Sequence, residues 1–247
     1  MASYSLIMII EQDPLLAVRV VRLANCAAYG GAGALKSLEA AVARLGLAKL
    51  RMLLIEVSAR QIFESRDPSI AKAACKLWEH SLAVALIARD LTAFAGRDDE
   101  VDAAYLCGLL HDVGKPIVAA MLLEAERQTA AAERGATWIT SDDWLRAVDR
   151  SHRPVGVALA QRWQLPDEVV AAIRECNEFD ISRRHTPANY VRFANALAKR
   201  EGYHVGAVDP DEVKALIMIG RSLLEVNDEI LTNLTATLRE RVNLHAG

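Results

Sequence analysis

Aromatic residues make up only 5 per cent of the 247-residue sequence, and proline and glycine are sparse at 7 and 13. So few turn formers leave long stretches of Ala, Leu, Val and Ile uninterrupted, a composition that favours helices. Neither sign of charge is in excess, with 29 Lys and Arg against 32 Asp and Glu for a formal net of -3. The molecule therefore has no overall field that would draw it to nucleic acid or to an anionic membrane, and neither is expected as a partner.

Cysteine is also scarce. Cys26, Cys75, Cys107 and Cys176 are scattered with no C-x-x-C pair, which excludes a zinc-finger or disulfide framework. They are expected as small buried hydrophobes in a reducing compartment. No run is long and apolar enough to span a membrane: Ser81 to Phe94 is broken by Arg89 and Asp90, and Leu6 to Ile10 is short and lacks a basic leader. The expectation is a soluble cytoplasmic protein without a signal peptide.

What is present is a 52 per cent apolar, 25 per cent charged chain, enough to bury a sizeable core and too hydrophobic for disorder. Nearly every segment between Gly and Pro punctuation has helical period, so the predicted fold is all-α. Asp13-Pro14 opens a helix to Arg22, and Ser37 caps one that Gly46 stops before another runs from about Ala48 to Phe63. After Asp67-Pro68 a long helix reaches about Phe94, with Leu77, Val84 and Leu91 every seven residues on its inward face beside His80. A helix must stop and restart at Gly114-Lys115-Pro116, next to His111 and Asp112. Further helices are predicted at about 141 to 150, 154 to 163, 166 to 176 and 187 to 201. A last one runs from Asp209-Pro210 to about Arg241, with Glu212 completing a capping box. Ile217, Leu224, Leu231 and Leu238 recur along it every seven residues, with Leu216, Leu223 and Ile230 widening the stripe. So broad a stripe suits packing on the chain's own core, while a homodimeric seam stays open.

His80, His111 and Asp112 offer two imidazoles and a carboxylate to one point, a set suited to a divalent metal of intermediate hardness. The alternative is that each His donates to a backbone carbonyl in the core. Other features carry less. Arg183, Arg184 and His185 lack interleaved aromatics and read as a solvated loop. Gly30, Gly31 and Gly33 follow no strand and precede no Lys-Ser or Lys-Thr, so they make no phosphate loop. Trp78, Trp138, Trp144 and Trp163 read as core or rim anchors.

The run HDVGK after an apolar helix, with His80 upstream, resembles the HD superfamily of metal-dependent phosphohydrolases. The N-terminal runs LAVRVVRLANCAAYG and SLEAAVARLGLAKLRMLL are similar to the opening of the HDOD domain, the bacterial HD-related output domain. The resemblance covers roughly residues 11 to 205. It implies an HDOD domain over 1–205, with a helical lobe to about 66 and an HD-like core over about 67–205, and leaves 206–247 as a C-terminal helical extension.

Carried over residue by residue, the resemblance also shows departures. The last metal ligand of active HD enzymes is an Asp in a motif of the type A-D-x-[LI]-A, and the matching place here is Ala194-Asn195-Ala196-Leu197-Ala198. Asn195 faces inward as a ligand would, but brings no charge. The cyclic di-guanylate hydrolases of the HD-GYP branch add histidines; His152 matches the first, while the H-H pair is replaced by Cys176-Asn177 in AIRECNEFD and the GYP loop is absent. Cys176 is expected to pack in the core. Lys115 stands where the enzymes can reach a substrate phosphate. The residual HD positions are thus His80, His111, Asp112, Lys115, His152 and Asn195, with no catalytic residue and no cofactor beyond a divalent metal weakly held by His80, His111 and Asp112.

The function implied is a non-catalytic signalling or regulatory module that acts through protein contacts, with a signalling protein of unknown identity as partner. The alternatives are a metal-dependent phosphohydrolase acting on a nucleotide or cyclic dinucleotide, and a module that binds a nucleotide in the relic pocket without cleaving it.

Overall fold

A side-chain cap followed by proline sets several helix starts, because proline at the first helical position needs no donor and the preceding side chain satisfies free N–H groups. The computed structural model describes residues 7, 8, 10–25, 34–132 and 142–246. The chain divides into two units, residues 1–61 and 62–247. All regular structure among the described residues is helical, so the fold class is all-α.

In the first unit α1 (Pro14–Ala24) follows Asp13, whose Oδ1 accepts from the Leu16 amide at 3.2 Å. Helix α2 (Leu38–Phe63) follows Ser37, whose Oγ accepts from Ala40 N, and bends at Gly46, which takes φ 74° and ψ 166°. A side chain is strained at such a φ, so glycine makes the predicted break. Ile10, Leu16, Val20, Ala41, Leu45 and Leu50 form this unit's core.

The second unit is built on α3 (Pro68–Phe94), whose residues Leu82 to Ala88 are fully buried together with the Leu77, Val84, Leu91 stripe. Next come α4 (Val101–Leu110), a turn at residues 111–113, α5 (Gly114–Ala132), α6 (Asp142–Arg162), α7 (Asp167–Glu175) and α8 (Pro187–Arg200). Helix α9 (Pro210–Leu224) packs on α8, while α10 (Asp228–Ala236) and α11 (Leu238–Ala246) pack on α3. Arg241 clasps Asp90 of α3 through both terminal nitrogens.

Three sequence expectations need correction. The two helices predicted at 141 to 150 and 154 to 163 are one, α6, with Pro154 inside it. A proline in a helix costs about 3 kcal/mol, but Trp144, Val148 and Val155 all pack on one apolar cluster and hold both halves in line. The single C-terminal helix is instead three. Glu225 turns left-handed (φ 56°), Val226 is buried, and Asn227 caps α10 by accepting from Ile230 N. Asp209 caps α9 as predicted, accepting from the Asp211 and Glu212 amides. Finally, Cys107 and Cys176 are buried but Cys75 is exposed, on the same side of α3 as Glu79, one turn further along. Cys26, Trp138 and Gly30, Gly31 and Gly33 lie outside the described residues.

Against the expectation that no run is long and apolar enough to cross a membrane, Asp98–Thr129 is, but 72% of its most apolar window is buried inside the protein. It is core.

Candidate functional site

Two glycines bring four helices together in pairs. A Cβ on Gly108 would lie 2.6 Å from the Ala85 Cα, so α4 meets α3 backbone to backbone. A Cβ on Gly114 would lie 1.9 Å from the His152 carbonyl oxygen, so the start of α5 lies directly on α6. No larger residue permits either approach. The turn between α4 and α5 therefore carries His111 and Asp112 into the space between His80 of α3 and His152 of α6.

The geometry of the four is specific. His80 Nε2 is 3.7 Å and His111 Nε2 3.3 Å from Asp112 Oδ2, and His152 Nε2 is 3.2 Å from Asp112 Oδ1. Each imidazole uses its other nitrogen on a main-chain carbonyl: His80 Nδ1 on Tyr203 O at 2.8 Å, His111 Nδ1 on Gly108 O at 2.7 Å, His152 Nδ1 on Val148 O at 3.2 Å. A carbonyl only accepts, so Nδ1 carries the proton and, in a neutral ring, Nε2 turns its lone pair toward the carboxylate. All four residues are buried.

Acceptors facing acceptors need a cation, and the chain provides one. Lys115 Nζ lies 2.9 Å from Asp112 Oδ2 and 3.0 Å from Asp149 Oδ1. Burial opposes charge on both partners, but the pairing outweighs it: Lys115 is raised by Asp112 and Asp149, and His111 and Lys115 hold the Asp112 carboxyl well below the usual range. Burial and the neighbouring His111 push His80 down to about 3, so its ring is neutral at pH 7.

Five of the six predicted positions are thus in one cluster. The sixth, Asn195, is on α8 with its Oδ1 buried and without a hydrogen bond among the described residues. Asp149 and Lys199 escaped that reading, although Asp149 is three residues before His152 and Lys199 four after Asn195, each one helical turn from a singled-out residue.

The remaining candidates are committed elsewhere. Cys176 Sγ accepts from Arg153 Nη1 at 3.0 Å and is buried away from solvent, while Asn177 is exposed. Arg183 pairs with Asp180, Arg184 with Glu225, and His185 with the Tyr190 hydroxyl, which leaves no open basic platform. Trp78 and Trp144 are core residues, and Trp163 is half-exposed at the rim.

One ligand atom each from His80, His111 and Asp112 lie within 4.8 Å of one another, and beyond their approach to Asp112 the Nε2 atoms of His111 and His152 have no hydrogen-bond partner among the described residues. That donor set fits one borderline cation once Lys115 leaves Asp112. A second ion would find a single shared carboxylate, because position 195 is an amide.

The HDOD domain family matches residues 3–179. The chain belongs to the HDOD family. An uncharacterized protein of Treponema pallidum (strain Nichols) is 30% identical over 195 residues, which is 78% of this chain and 36% of that protein, so this chain spans about a third of its relative. Among solved structures, a "Putative metal-dependent phosphohydrolase" from Shewanella amazonensis SB2B superposes with a TM-score of 0.73 at 21% identity, over 97% of this chain and 83% of the other. A "Putative signal transduction protein" from Marinobacter aquaeolei VT8 has a TM-score of 0.60 at 20% identity, over 98% and 55%. At these identities the likeness is one of fold.

Proposed function

We propose that this HDOD chain is a non-catalytic cytoplasmic signal-transduction module that works through protein contacts, its HD site converted to a charge-balanced structural cluster. The observation that carries this reading is the Lys115 ammonium on Asp112 Oδ2. Two carboxylates, Asp112 and Asp149, share a neighbourhood with two ammonium groups, Lys115 and Lys199. A divalent ion entering there would add two positive charges next to Lys115 with one carboxylate to hold it, at a cost in hydration that the site does not return.

Hydrolysis of a phosphodiester at such a site uses metal to acidify a water and clamp the phosphoryl group. His80, His111 and Asp112 would hold that ion. The unpaired Nε2 atoms of His111 and His152 favour this second reading, a metal-dependent phosphohydrolase for a nucleotide or cyclic dinucleotide. The missing charge at Asn195 and the cation already supplied by Lys115 weigh against it.

Elemental analysis of the purified chain separates the two. The module reading expects far less than one transition metal per chain. A stoichiometric metal that His111→Ala removes would instead establish the enzyme-like site.

A further inference from the structure

Within the second unit is a cavity of about 470 Å³, a size that suits a small organic ligand. His80 and Lys115 line it, so it adjoins the cluster described above. Ile70, Leu77, Leu145 and Leu216 give it an aliphatic side to which Trp144 adds an indole ring, and charged side chains make up much of the rest.

Lys199 also lines this cavity, and it differs from Lys115 in one respect. Lys115 touches both Asp112 and Asp149, whereas the Lys199 ammonium makes no hydrogen bond or contact ion pair among the described residues, and Asp112, Asp149 and Glu212 act on it only from farther off. It is half-buried, and burial pushes its ammonium below its ordinary pKa. A cation withdrawn from water without a counter-ion in contact is costly, and an anion seated against it would lower that cost.

The charge of that anion is limited. Glu64, Asp149, Asp209 and Glu212 line the same cavity against Lys115, Arg146 and Lys199, so a phosphate dianion meets more repulsion than a monoanion does. A nucleoside would leave the aliphatic side formed by Ile70, Leu77, Leu145 and Leu216 against a polar sugar or base. An alkyl chain matches that wall.

We infer that the cavity binds a singly charged amphiphile, an aliphatic carboxylate whose head meets Lys199 and whose chain lies along the Leu77, Leu145 and Leu216 wall. The inference rests on the regulatory reading, since a carboxylate held beside a non-hydrolysing cluster is sensed and not consumed.

Calorimetric titration of the full chain with octanoate, 1-octanol and adenosine monophosphate tests it. Octanoate should bind saturably at one site. Lys199→Met should weaken it at least about tenfold, and 1-octanol should bind the unaltered chain at least as weakly. Ala120→Trp, at an exposed position lining the cavity, should also weaken octanoate and keeps the test open if Lys199→Met fails to fold. Absence of saturable octanoate binding, unchanged affinity in either folded variant, or displacement of octanoate by tighter-binding adenosine monophosphate would each overturn the inference. Turnover of bis(4-nitrophenyl) phosphate by the same protein with added manganese reports on the regulatory reading separately: turnover with octanoate bound defeats only that reading, and no turnover with no octanoate binding defeats only this one.

Discussion

The side-chain ammonium of Lys115 lies 2.9 Å from the buried carboxylate of Asp112, three residues before it, and this contact closes a cluster that three imidazoles leave open on their lone-pair side. On the proposed reading it stabilises the cluster in place of a metal.

Removing that ammonium leaves the buried Asp112 carboxylate without its closest cation. Lys115→Met should therefore lower stability by about 3 to 5 kcal/mol in urea denaturation, the range for breaking a buried ion pair from one side. Zinc or manganese should restore part of the loss in thermal melts, because the freed carboxylate and the unpaired Nε2 atoms then have a cation. A variant as stable as the parent, with no response to metal, would mean that Lys115 contributes nothing to the cluster.

The approach of α5 to α6 depends on the absence of a side chain at Gly114. Gly114→Ala forces a methyl onto the His152 carbonyl and should cost at least about 1 to 3 kcal/mol, the usual range for overpacking. The same displacement moves His152 from Asp112. Chemical denaturation measures the first effect, and a stability equal to that of the parent would show that the two helices are not in backbone contact.

A pH effect is expected at Asp180. Its carboxylate accepts from the Ser182 hydroxyl and amide and from Arg183, which together lower its pKa to about 2. Folding depresses this pKa, so the ionised group favours the folded loop above the unfolded value of about 3.9, and the benefit is lost as pH falls through about 2. Carbon-detected NMR titration should give a midpoint near 2; one near 4 would mean that the loop hydrogen bonds are absent in solution.

Much of this was legible in the sequence, and the exceptions share a cause. Asp67-Pro68, Asp209-Pro210 and Gly46 mark helix ends because they act on their own backbone, and His80 is placed by its spacing from Leu77 and Val84. Local patterns report local events. Pro154 is tolerated within α6 because an apolar cluster holds both halves of the helix, and the left-handed Glu225 breaks the C-terminal helix without a glycine to announce it. Both depend on tertiary contacts. Asp149 and Lys199 belong to the site for the same reason: α6 and α8 bring them to Lys115 from 34 and 84 residues away in sequence. The Asp-to-Asn departure at 195 was visible in the motif, but the ammonium that compensates Asp112 is recognisable only where the two side chains meet.

The central claim is that this cluster stabilises the fold and does not cleave phosphodiesters. Its most direct test is a turnover assay of the full chain with bis(4-nitrophenyl) phosphate and cyclic di-guanylate in the presence of manganese, alongside the His111→Ala and Asp112→Ala variants. The account predicts no release of product above background from any of the three proteins. Turnover by the parent chain that both variants abolish would contradict it.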